Sequence, residues 1–443
     1  DREQHAWRVL CGVIHGFSER EFGHKDVMPA LYTGQRRSVV YRPFFGRFLS
    51  VLTLLSNARV FAPDDLGVCH VLVGGGRILA ISERRDDLAA GPVAEVDLDG
   101  KRLIPGFIDG HAHVTGGGGE AGFRTRVPPV PLGHFTTAGV TSVVGVLGTD
   151  DTTRDTRGLL AQVRALREEG LGAWCHTGGY HVPPVTLTGS VRDDIVFLDP
   201  VIGVGELAIS DHRSSQPTLA ELLRIASDAH VAGMIAGKAG IVHLHLGDGE
   251  RGLDLVRQAL AGSELPPRVF NPTHVNRRKA LFDESLALAA DGCTIDITAF
   301  PVEEGEDAWA ADVALTRFLE SGVPEERVTM SSDGGGCLPV FNESGEMLHS
   351  DIGRPAGLIE ALRGVLDAGV PLDLALPAFT SNVARILRLG DRGRISEGLV
   401  ADLAVLDDDF ELSDVMVAGI WHVRNRTQQV FGEFEQHNGS GAA

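Results

Sequence analysis

Two histidines, His111 and His113, stand one residue apart just after an apolar run from Leu103 to Ile108. Side chains along a β-strand alternate between its two faces, so residues i and i+2 point the same way. Both imidazoles can therefore reach one metal ion if this run is a strand. The pair alone is equally compatible with two idle histidines on a loop, so its interpretation depends on the residues that accompany it.

Further side chains of metal-binding type follow later apolar runs. They are Glu206, Asp211, His243, His245, His274 and Asp333. Imidazole and carboxylate groups are the ligands that zinc and similar divalent ions take, and a carboxylate between two groups of histidines can bridge two ions. A single histidine or aspartate in such a place is more often a cap or a hydrogen-bonded core residue. Because five runs end in this way, the sequence favours a dinuclear metal site.

The apolar runs alternate with amphipathic segments, which indicates eight strand and helix units. The expected strands are Arg102–Ile108, Thr141–Val146, Gly172–Thr177, Val201–Ile209, Gly240–Leu246, Val269–Thr273, Cys293–Thr298 and Arg327–Ser331. The intervening helices are typified by an apolar stripe at helical spacing, formed by Leu159, Leu160, Val163 and Leu166. Eight such units predict an α/β fold, a (β/α)8 TIM-like barrel over residues 102–385. This barrel carries its chemistry at the C-terminal ends of its strands, where the metal-binding side chains occur.

The two ends of the chain are rich in short strand patterns. One set lies in residues 51–101 and the other in residues 386–434. We expect them to pair into one small β-sandwich domain, because the ends of a domain often lie close together. Residues 1–50 carry many arginines and aromatic residues without steady periodicity, which predicts an appendage. Residues 435–443 are expected to form a flexible tail.

Composition limits the partners that the protein can have. The chain has 443 residues, and 40 basic against 60 acidic side chains give a formal net charge of −20, which argues against nucleic acid. No apolar run approaches the ~20 residues that a bilayer requires, so no membrane partner is expected. The five cysteines are scattered, and the first residues lack a signal-peptide pattern. We therefore expect a cytoplasmic protein.

Seven short segments between Leu52 and Phe434 carry a family resemblance. They are Pro105–His113, Gly116–Gly122, Gly145–Thr149, Thr177–Pro183, Ile209–Ser214, Pro272–Arg277 and Ser331–Gly334. Together they resemble the amidohydrolase superfamily and, within it, the isoaspartyl dipeptidase family. The first segment is shared across the superfamily. The second, fourth and fifth are specific to the dipeptidases.

The resemblance implies two divalent metal ions, with zinc expected. His111, His113 and Asp333 would hold one ion, and His245 and His274 would hold the other. The bridging position, which holds a carboxylated lysine in the family, is Glu206 here. A glutamate carboxylate offers the same two oxygens on a shorter arm, so the ion pair is expected to persist. A site that has lost one ion is the alternative.

The mechanism that the resemblance implies is hydrolysis by a hydroxide that bridges the two ions. Asp333 would act as general base and then as general acid toward the leaving amine. Tyr180 would donate its phenolic hydrogen to the developing oxyanion. Without the resemblance, Tyr180 is equally interpreted as a tyrosine that packs beside a Gly-Gly turn.

The resemblance also implies which residues bind the substrate, a small acidic dipeptide with a β-aspartyl linkage. Glu120 and Thr149 would meet the α-ammonium group, while Arg213 and Arg277 would each hold a carboxylate. Cys337 stands where the family has a serine that helps to bind the substrate, and a thiol is the poorer hydrogen-bonding group. His181 and His243 are interpreted as residues that support the site or fill space.

Two alternatives to a metal-dependent isoaspartyl dipeptidase stay open at this point. One is another amidohydrolase, such as a cyclic-amide hydrolase or an N-acyl amino acid deacylase. The other is a non-catalytic scaffold with an amidohydrolase-like barrel. The resemblance further suggests a homo-oligomer, by analogy of fold alone.

Overall fold

The computed structural model describes residues 52–88, 93–341 and 347–435. The predicted appendage at residues 1–50 lies outside the described residues, as does the predicted tail except for its first residue. Within the described ranges, no helix combines the length and the apolar character needed to cross a membrane.

Strands and helices alternate through the middle of the chain, and strands predominate at both ends. The strands are β1 Thr53–Phe61, β2 Asp65–Gly74, β3 Arg77–Ser82, β4 Ala94–Asp97, β5 Arg102–Pro105, β6 Phe107–Ala112, β7 Val140–Gly145, β8 Gly172–Thr177, β9 Val201–Ile209, β10 Val242–Leu246, β11 Phe270–Thr273, β12 Ile295–Thr298, β13 Val328–Ser331, β14 Cys337–Phe341, β15 Met347–Ile352, β16 Leu403–Leu406, β17 Leu412–Val417, β18 Ile420–Arg424 and β19 Thr427–Gln428. The α-helices are α1 Leu132–Thr136, α2 Thr156–Glu168, α3 Val191–Phe197, α4 Leu219–Ala236, α5 Asp254–Ala261, α6 Lys279–Ala290, α7 Ala311–Glu320, α8 Gly357–Asp367, α9 Leu372–Ala375 and α10 Ser381–Leu387.

Strands from residues 53–105 and from residues 403–428 pair into one sheet. Among the described residues its strand order is β19-β18-β17-β16-β5-β1-β2-β3, with β4 beside β1. Strand β16 from the C-terminal segment lies antiparallel to β5 from the N-terminal segment, with Leu403 opposite Pro105. Hydrogen bonding thus joins these strands in a single sheet, here called the terminal sheet. The predicted division into a two-layered sandwich stays a prediction.

The middle of the chain forms a curled parallel sheet. In the described part of the chain, β6 to β11 pair in sequence order, and β12 and β13 form a separate parallel pair. The two groups meet at their C-terminal ends, where Asp333 N donates to His111 O at 3.1 Å and His113 N donates to Gly334 O at 2.8 Å. All eight predicted strand positions are therefore strands, arranged as a half-barrel with a separate pair. A fully closed eight-stranded hydrogen-bonded barrel stays a prediction.

The first predicted barrel strand, Arg102–Ile108, is wrong as a single element. It divides at Gly106, so that β5 belongs to the terminal sheet and β6 begins the parallel sheet. Gly106 N donates to Asp402 O at 2.9 Å, and a Cβ at this glycine would overlap the side chain of Thr141. Both halves are buried and apolar, so hydrophobicity cannot show where the chain passes from one sheet to the other.

Burial and capping explain why the segments of β9 and α2 form a strand and a helix. Every residue of β9 is buried, as expected for a parallel strand that is covered on both faces. Helix α2 begins after Asp155, whose side chain accepts from Gly158 N at 2.9 Å and caps the helix. The predicted apolar stripe is confirmed, since all of its members are buried: Leu159, Leu160, Val163 and Leu166.

Phe379 packs where the two parallel groups of strands meet. It is fully buried in a short 3-10 helix, Leu376–Phe379, that contacts both β6 and β13. Its ring centroid lies 5.5 Å from that of Phe107 at the start of β6. Strands β6 and β13 lead to His111, His113 and Asp333, so this packing supports the site from beneath.

Replacing Phe379 with alanine should therefore lower the free energy of unfolding by about 3–5 kcal/mol, because the cavity that remains in a packed core cannot fully collapse. Urea denaturation followed by circular dichroism measures the change. Phe434→Ala, at a side chain that is 98% exposed, is the control and should stay within about 0.5 kcal/mol of wild type. Equal losses from both variants would contradict the packing role.

Candidate active site

The strand ends meet around one cavity of about 830 Å³. Five of the predicted metal ligands line it: His113, Glu206, His245, His274 and Asp333. His111 is fully buried directly behind them. The predicted metal ligands, which come from five different strands of the parallel groups, are therefore brought together.

The first donor group consists of His111, His113 and Asp333, as predicted. Their ligand atoms lie within 4.8 Å of one another. His111 Nε2 lies 3.4 Å and His113 Nε2 lies 3.1 Å from Asp333 Oδ1. Two imidazoles and one carboxylate converging at these distances match the donor set of a divalent ion such as zinc.

Glu206 lies between the two groups of histidines. Its Oε1 is 3.3 Å from His113 Nε2, and its Oε2 is 3.4 Å from His274 Nε2 and 3.2 Å from His245 Nδ1. His111, Glu206 and His274 form a second set of donors with close ligand atoms. Glu206 thus has the position of a bridging carboxylate.

Both ring nitrogens of His245 lie close to carboxylates. Nδ1 faces Glu206, while Nε2 lies 3.1 Å from Asp211 Oδ2. The hydroxyl of Tyr180 lies 2.8 Å from His245 Nδ1. His245 therefore stands beside the second donor set and is oriented by Asp211.

Unusual backbone conformations end two of the strands that carry ligands. His274 and Asp333 have positive φ angles of 60° and 51°, which residues other than glycine adopt rarely and which cluster at functional sites. Gly148 has no room for a larger residue, because a Cβ there would lie 2.7 Å from His113 Cε1. The close packing around His113 thus requires glycine on the neighbouring strand end.

The electrostatics of the site favour a bound cation. Burial alone would raise the pKa of Glu206, but His111, His113 and His245 hold it well below its usual range. Burial would likewise raise the pKa of Asp333, and the imidazoles of His111 and His113 lower it. Burial lowers the pKa of His113, but Asp333 and Glu206 outweigh it and raise the value to about 10. The buried carboxylates of Glu206 and Asp333 are therefore stabilised by positive charge close to them.

Unpartnered atoms point to the same conclusion. Within the described residues, His111 Nε2, Glu206 Oε1 and Asp333 Oδ1 are buried without a hydrogen-bond partner. Buried polar atoms are nearly always satisfied, so atoms without partners call for an explanation such as an ion. These three belong to the proposed donor sets, and the residues present therefore fit a divalent metal.

A chain of hydrogen bonds behind the site sets the tautomer of His111. Asn271 Nδ2 donates to Thr294 O at 2.8 Å, so Asn271 Oδ1 accepts from Nδ1–H of His243 at 2.7 Å. Burial lowers the pKa of His243 to about 3. Neutral His243 then accepts at Nε2 from Nδ1–H of His111 at 2.7 Å, which leaves the lone pair of His111 at Nε2 toward the other donors.

The residues predicted to bind substrate line the same cavity, as does the predicted oxyanion donor Tyr180: Glu120, Thr149, Arg213, Arg277 and Cys337. Glu120 Oε2 and Thr149 Oγ1 are buried and have no hydrogen-bond partner among the described residues. Arg277 Nη1 donates to Leu246 O at 2.7 Å, and its Nε lies 3.0 Å from Asp248 Oδ1. Glu120, Arg213 and Arg277 thus lie among the charged side chains that line the cavity beside the metal-type donors.

Sequence reasoning missed the part that Asp211 plays. Its carboxylate accepts two bonds from Arg213, at 3.1 Å to Nε and 2.7 Å to Nη2, and also contacts His245. The two-residue spacing of Asp211 and Arg213 was the available signal. Of the two histidines without an assigned role, His243 supports His111, whereas His181 hydrogen-bonds Asp151.

Comparison with known proteins identifies similar chains. A beta-aspartyl dipeptidase from the thermophilic, keratin-degrading Fervidobacterium islandicum AW-1, crystallised in complex with beta-Asp-Leu dipeptide, is 40% identical; the match covers 86% of this chain and 98% of that chain at a TM-score of 0.82. The imidazolonepropionase of Ruegeria sp. (strain TM1040) is 26% identical over 382 residues, which cover 80% of this chain and 92% of that protein. A dihydropyrimidinase from Brevibacillus agri NCHU1002, at 17% identity and a TM-score of 0.60, shares the fold.

The family model of the amidohydrolase family matches residues 102–422, which include the whole parallel sheet and all of the converging donors. The beta-aspartyl dipeptidase is similar over nearly its full length. The chain therefore belongs to the amidohydrolase family and is a hydrolase of that superfamily.

Proposed function

We propose that this protein hydrolyses the isopeptide bond of β-aspartyl dipeptides with the help of two divalent metal ions, zinc being expected. One observation carries the proposal. A single cavity combines metal-type donors with a buried carboxylate that has a free oxygen, Glu120, and with two arginines, Arg213 and Arg277. A β-aspartyl dipeptide carries one ammonium and two carboxylates, so its charges complement this arrangement.

The metal ions would be held by the residues that the structure brings together. His111, His113 and Asp333 form one donor set, and Glu206 connects it to His274 and His245. When bound, the ions would lower the pKa of a water molecule toward ~7 and polarise the scissile carbonyl.

Asp333 is suited to move the proton. Its carboxylate borders the cavity beside the donor sets, where it can accept a proton from a water molecule held there. Returning that proton to the leaving amine completes the hydrolysis. We therefore assign Asp333 the role of general base and then general acid.

Tyr180 is suited to stabilise the oxyanion. Burial raises the pKa of its phenol well above the usual value, so the hydroxyl stays protonated and can donate a hydrogen bond. Its oxygen already lies within hydrogen-bond distance of His245, which stands beside the second donor set. A carbonyl oxygen bound near that group would be within reach of this donor.

The remaining side chains would choose the substrate. Glu120 and Thr149 offer buried oxygens to an ammonium, and the guanidinium groups of Arg213 and Arg277 offer positive charge to carboxylates. Cys337 lines the same wall with a thiol whose pKa burial raises to about 11, so it meets the substrate as a neutral, weak donor. The similarity to a dipeptidase crystallised with beta-Asp-Leu supports this assignment.

A second candidate is hydrolysis of a cyclic amide. The similarity to proteins named imidazolonepropionase over 80% of the chain favours it. The two candidates share the metal-type donors and differ in the need for Glu120, Arg213 and Arg277. A substrate without an ammonium or a second carboxylate would make these residues dispensable.

Arg277→Met distinguishes the candidates. A hydrogen bond to a charged group contributes about 1.5–3 kcal/mol, so the variant should lose about 10- to 100-fold in kcat/KM on β-aspartyl-leucine. Steady-state kinetics measures the loss, and unchanged metal content shows that the donor sets are intact. A variant as active as wild type on this dipeptide would favour the cyclic-amide candidate.

His243→Leu tests the orientation of His111. Removal of the acceptor for Nδ1–H of His111 should weaken metal binding by about 10- to 100-fold. Competition with a chelator measures the affinity, and thermal unfolding of the metal-free proteins checks that the variant folds. His243→Gln, which keeps an acceptor on a side chain of similar length, is the matched control and should lose less. If both variants bind metal as tightly as wild type, the hydrogen-bond chain has no part in the metal site.

A further inference from the structure

The segment that carries Glu120 begins with a run of glycines, and its own turns include bonds from Ala121 N to Thr125 Oγ1 and from Thr125 Oγ1 to Gly122 O. Glu120 follows four consecutive glycines, Gly116–Gly119, and three of these have positive φ angles. Glycine loses more conformational freedom on ordering than any other residue, so such a segment needs contacts from elsewhere. Glu120 Oε2 makes no hydrogen bond among the described residues, and Oε1 lies 3.6 Å from Arg213 Nη1.

Arg154 supplies contacts at both ends of this segment, residues 115–127, here called the Glu120 loop. Its Nε donates to Thr115 O at 3.3 Å, and its Nη2 donates to Val127 O at 3.0 Å. Val127 N also donates to Gly117 O at 2.9 Å, so the two ends of the loop lie side by side. The side chain of Arg154 is only 9% exposed. One partly buried guanidinium therefore bridges the beginning and the end of the loop.

The third contact of Arg154 leads to the other side of the cavity. Its Nη1 donates to Asp150 Oδ2 at 3.0 Å, and Asp150 directly follows Thr149. Asp150 also accepts from Thr153 N at 2.8 Å, which holds its carboxylate toward the start of α2. Arg154 thus connects the loop that carries Glu120 with the segment that carries Thr149.

These contacts use the particular shape of arginine. A planar guanidinium has five donors in a fixed fork, and here its three nitrogens reach three separate acceptors. A lysine ammonium is a point charge and cannot reach all three together. The geometry is therefore specific to Arg154 and does not depend on its charge alone.

We infer that Arg154 is a positioning residue, which holds Glu120 and Thr149 at the separation required to bind the α-ammonium of the substrate. The inference rests on the proposed function, since Glu120 and Thr149 are the residues assigned there to the ammonium. Arg154 itself does not line the cavity that contains the metal-type donors. Its effect on catalysis is exerted through the two side chains that it positions.

The test compares Arg154→Met on two compounds that differ only in the ammonium, β-aspartyl-leucine and succinyl-leucine. The kcat/KM on β-aspartyl-leucine should fall by roughly 10- to 100-fold, mainly through KM, because a small misplacement of a binding group has a large effect. The Ki or KM of succinyl-leucine should change less than about twofold, since this compound has no group for Glu120. Equal losses on both compounds would overturn the inference and leave Arg154 a structural residue.

Three further variants sharpen the test. Arg157→Met, at an exposed arginine three residues further along the chain in the first turn of α2, is the matched control and should resemble wild type. Arg154→Lys keeps the positive charge and so makes failure to fold less of a concern. Its kcat/KM should also fall on β-aspartyl-leucine and not on succinyl-leucine. When Arg154→Met is added to Glu120→Gln, the kcat/KM on β-aspartyl-leucine should fall little further, because the charge that Arg154 positions is already absent.

The outcomes separate this inference from the proposed function. If the wild-type protein cleaves β-aspartyl-leucine and Arg154→Met matches it, the inference fails and the proposed function stands. If the wild-type protein does not cleave β-aspartyl-leucine, the proposed function fails, and the inference fails with it.

Discussion

Two carboxylates, Glu206 and Asp333, are buried within a few ångströms of the same imidazoles. Taking an ionised group out of water costs several kcal/mol, which nearby positive charge must offset. Strand ends from the parallel sheet bring histidines to these carboxylates, and the raised pKa of His113 shows that a positive charge is favoured there. A divalent ion meets the same demand without a proton, and the remaining features of the site are arranged around this requirement.

The terminal sheet is directly connected to the strand that carries the first metal-type donors. Strand β5 of that sheet runs into β6 of the parallel sheet with only Gly106 between them, and β6 ends in His111 and His113. The pairing of β5 with β16 in the terminal sheet therefore fixes the start of β6, the strand that leads to His111 and His113. At the other end of β6, hydrogen bonds to Asp333 and Gly334 fix the third ligand against the same strand.

The strands and the donors could be predicted because their signals are local. His111 and His113 follow the two-residue period of a strand, and His245, His274 and Asp333 follow apolar runs whose parallel packing brings their ends together. The boundary at Gly106 could not be predicted in this way, because residues on both sides are equally buried. What separates them is the choice of partner strand, and the partner β16 lies about 300 residues away in the sequence.

The contacts of Asp211, His243 and Arg154 were beyond sequence reasoning for a related reason. Each acts through partners that are distant in sequence or through backbone carbonyls, which carry no residue-type signal. Arg154 in particular resembles an ordinary helix-start arginine until the fold places residues 115 and 127 on either side of it. The charges facing the substrate could be named from the sequence, whereas the groups that hold them in place required the structure.

The most direct measurement is hydrolysis of matched isomers, β-aspartyl-leucine and α-aspartyl-leucine, by the metal-loaded protein and by the same protein after chelation. The account predicts cleavage of the β-linked isomer, loss of that activity on chelation and its return on addition of a divalent ion. Cleavage of the α-linked isomer alone, or cleavage of the β-linked isomer that is indifferent to chelation, would contradict it.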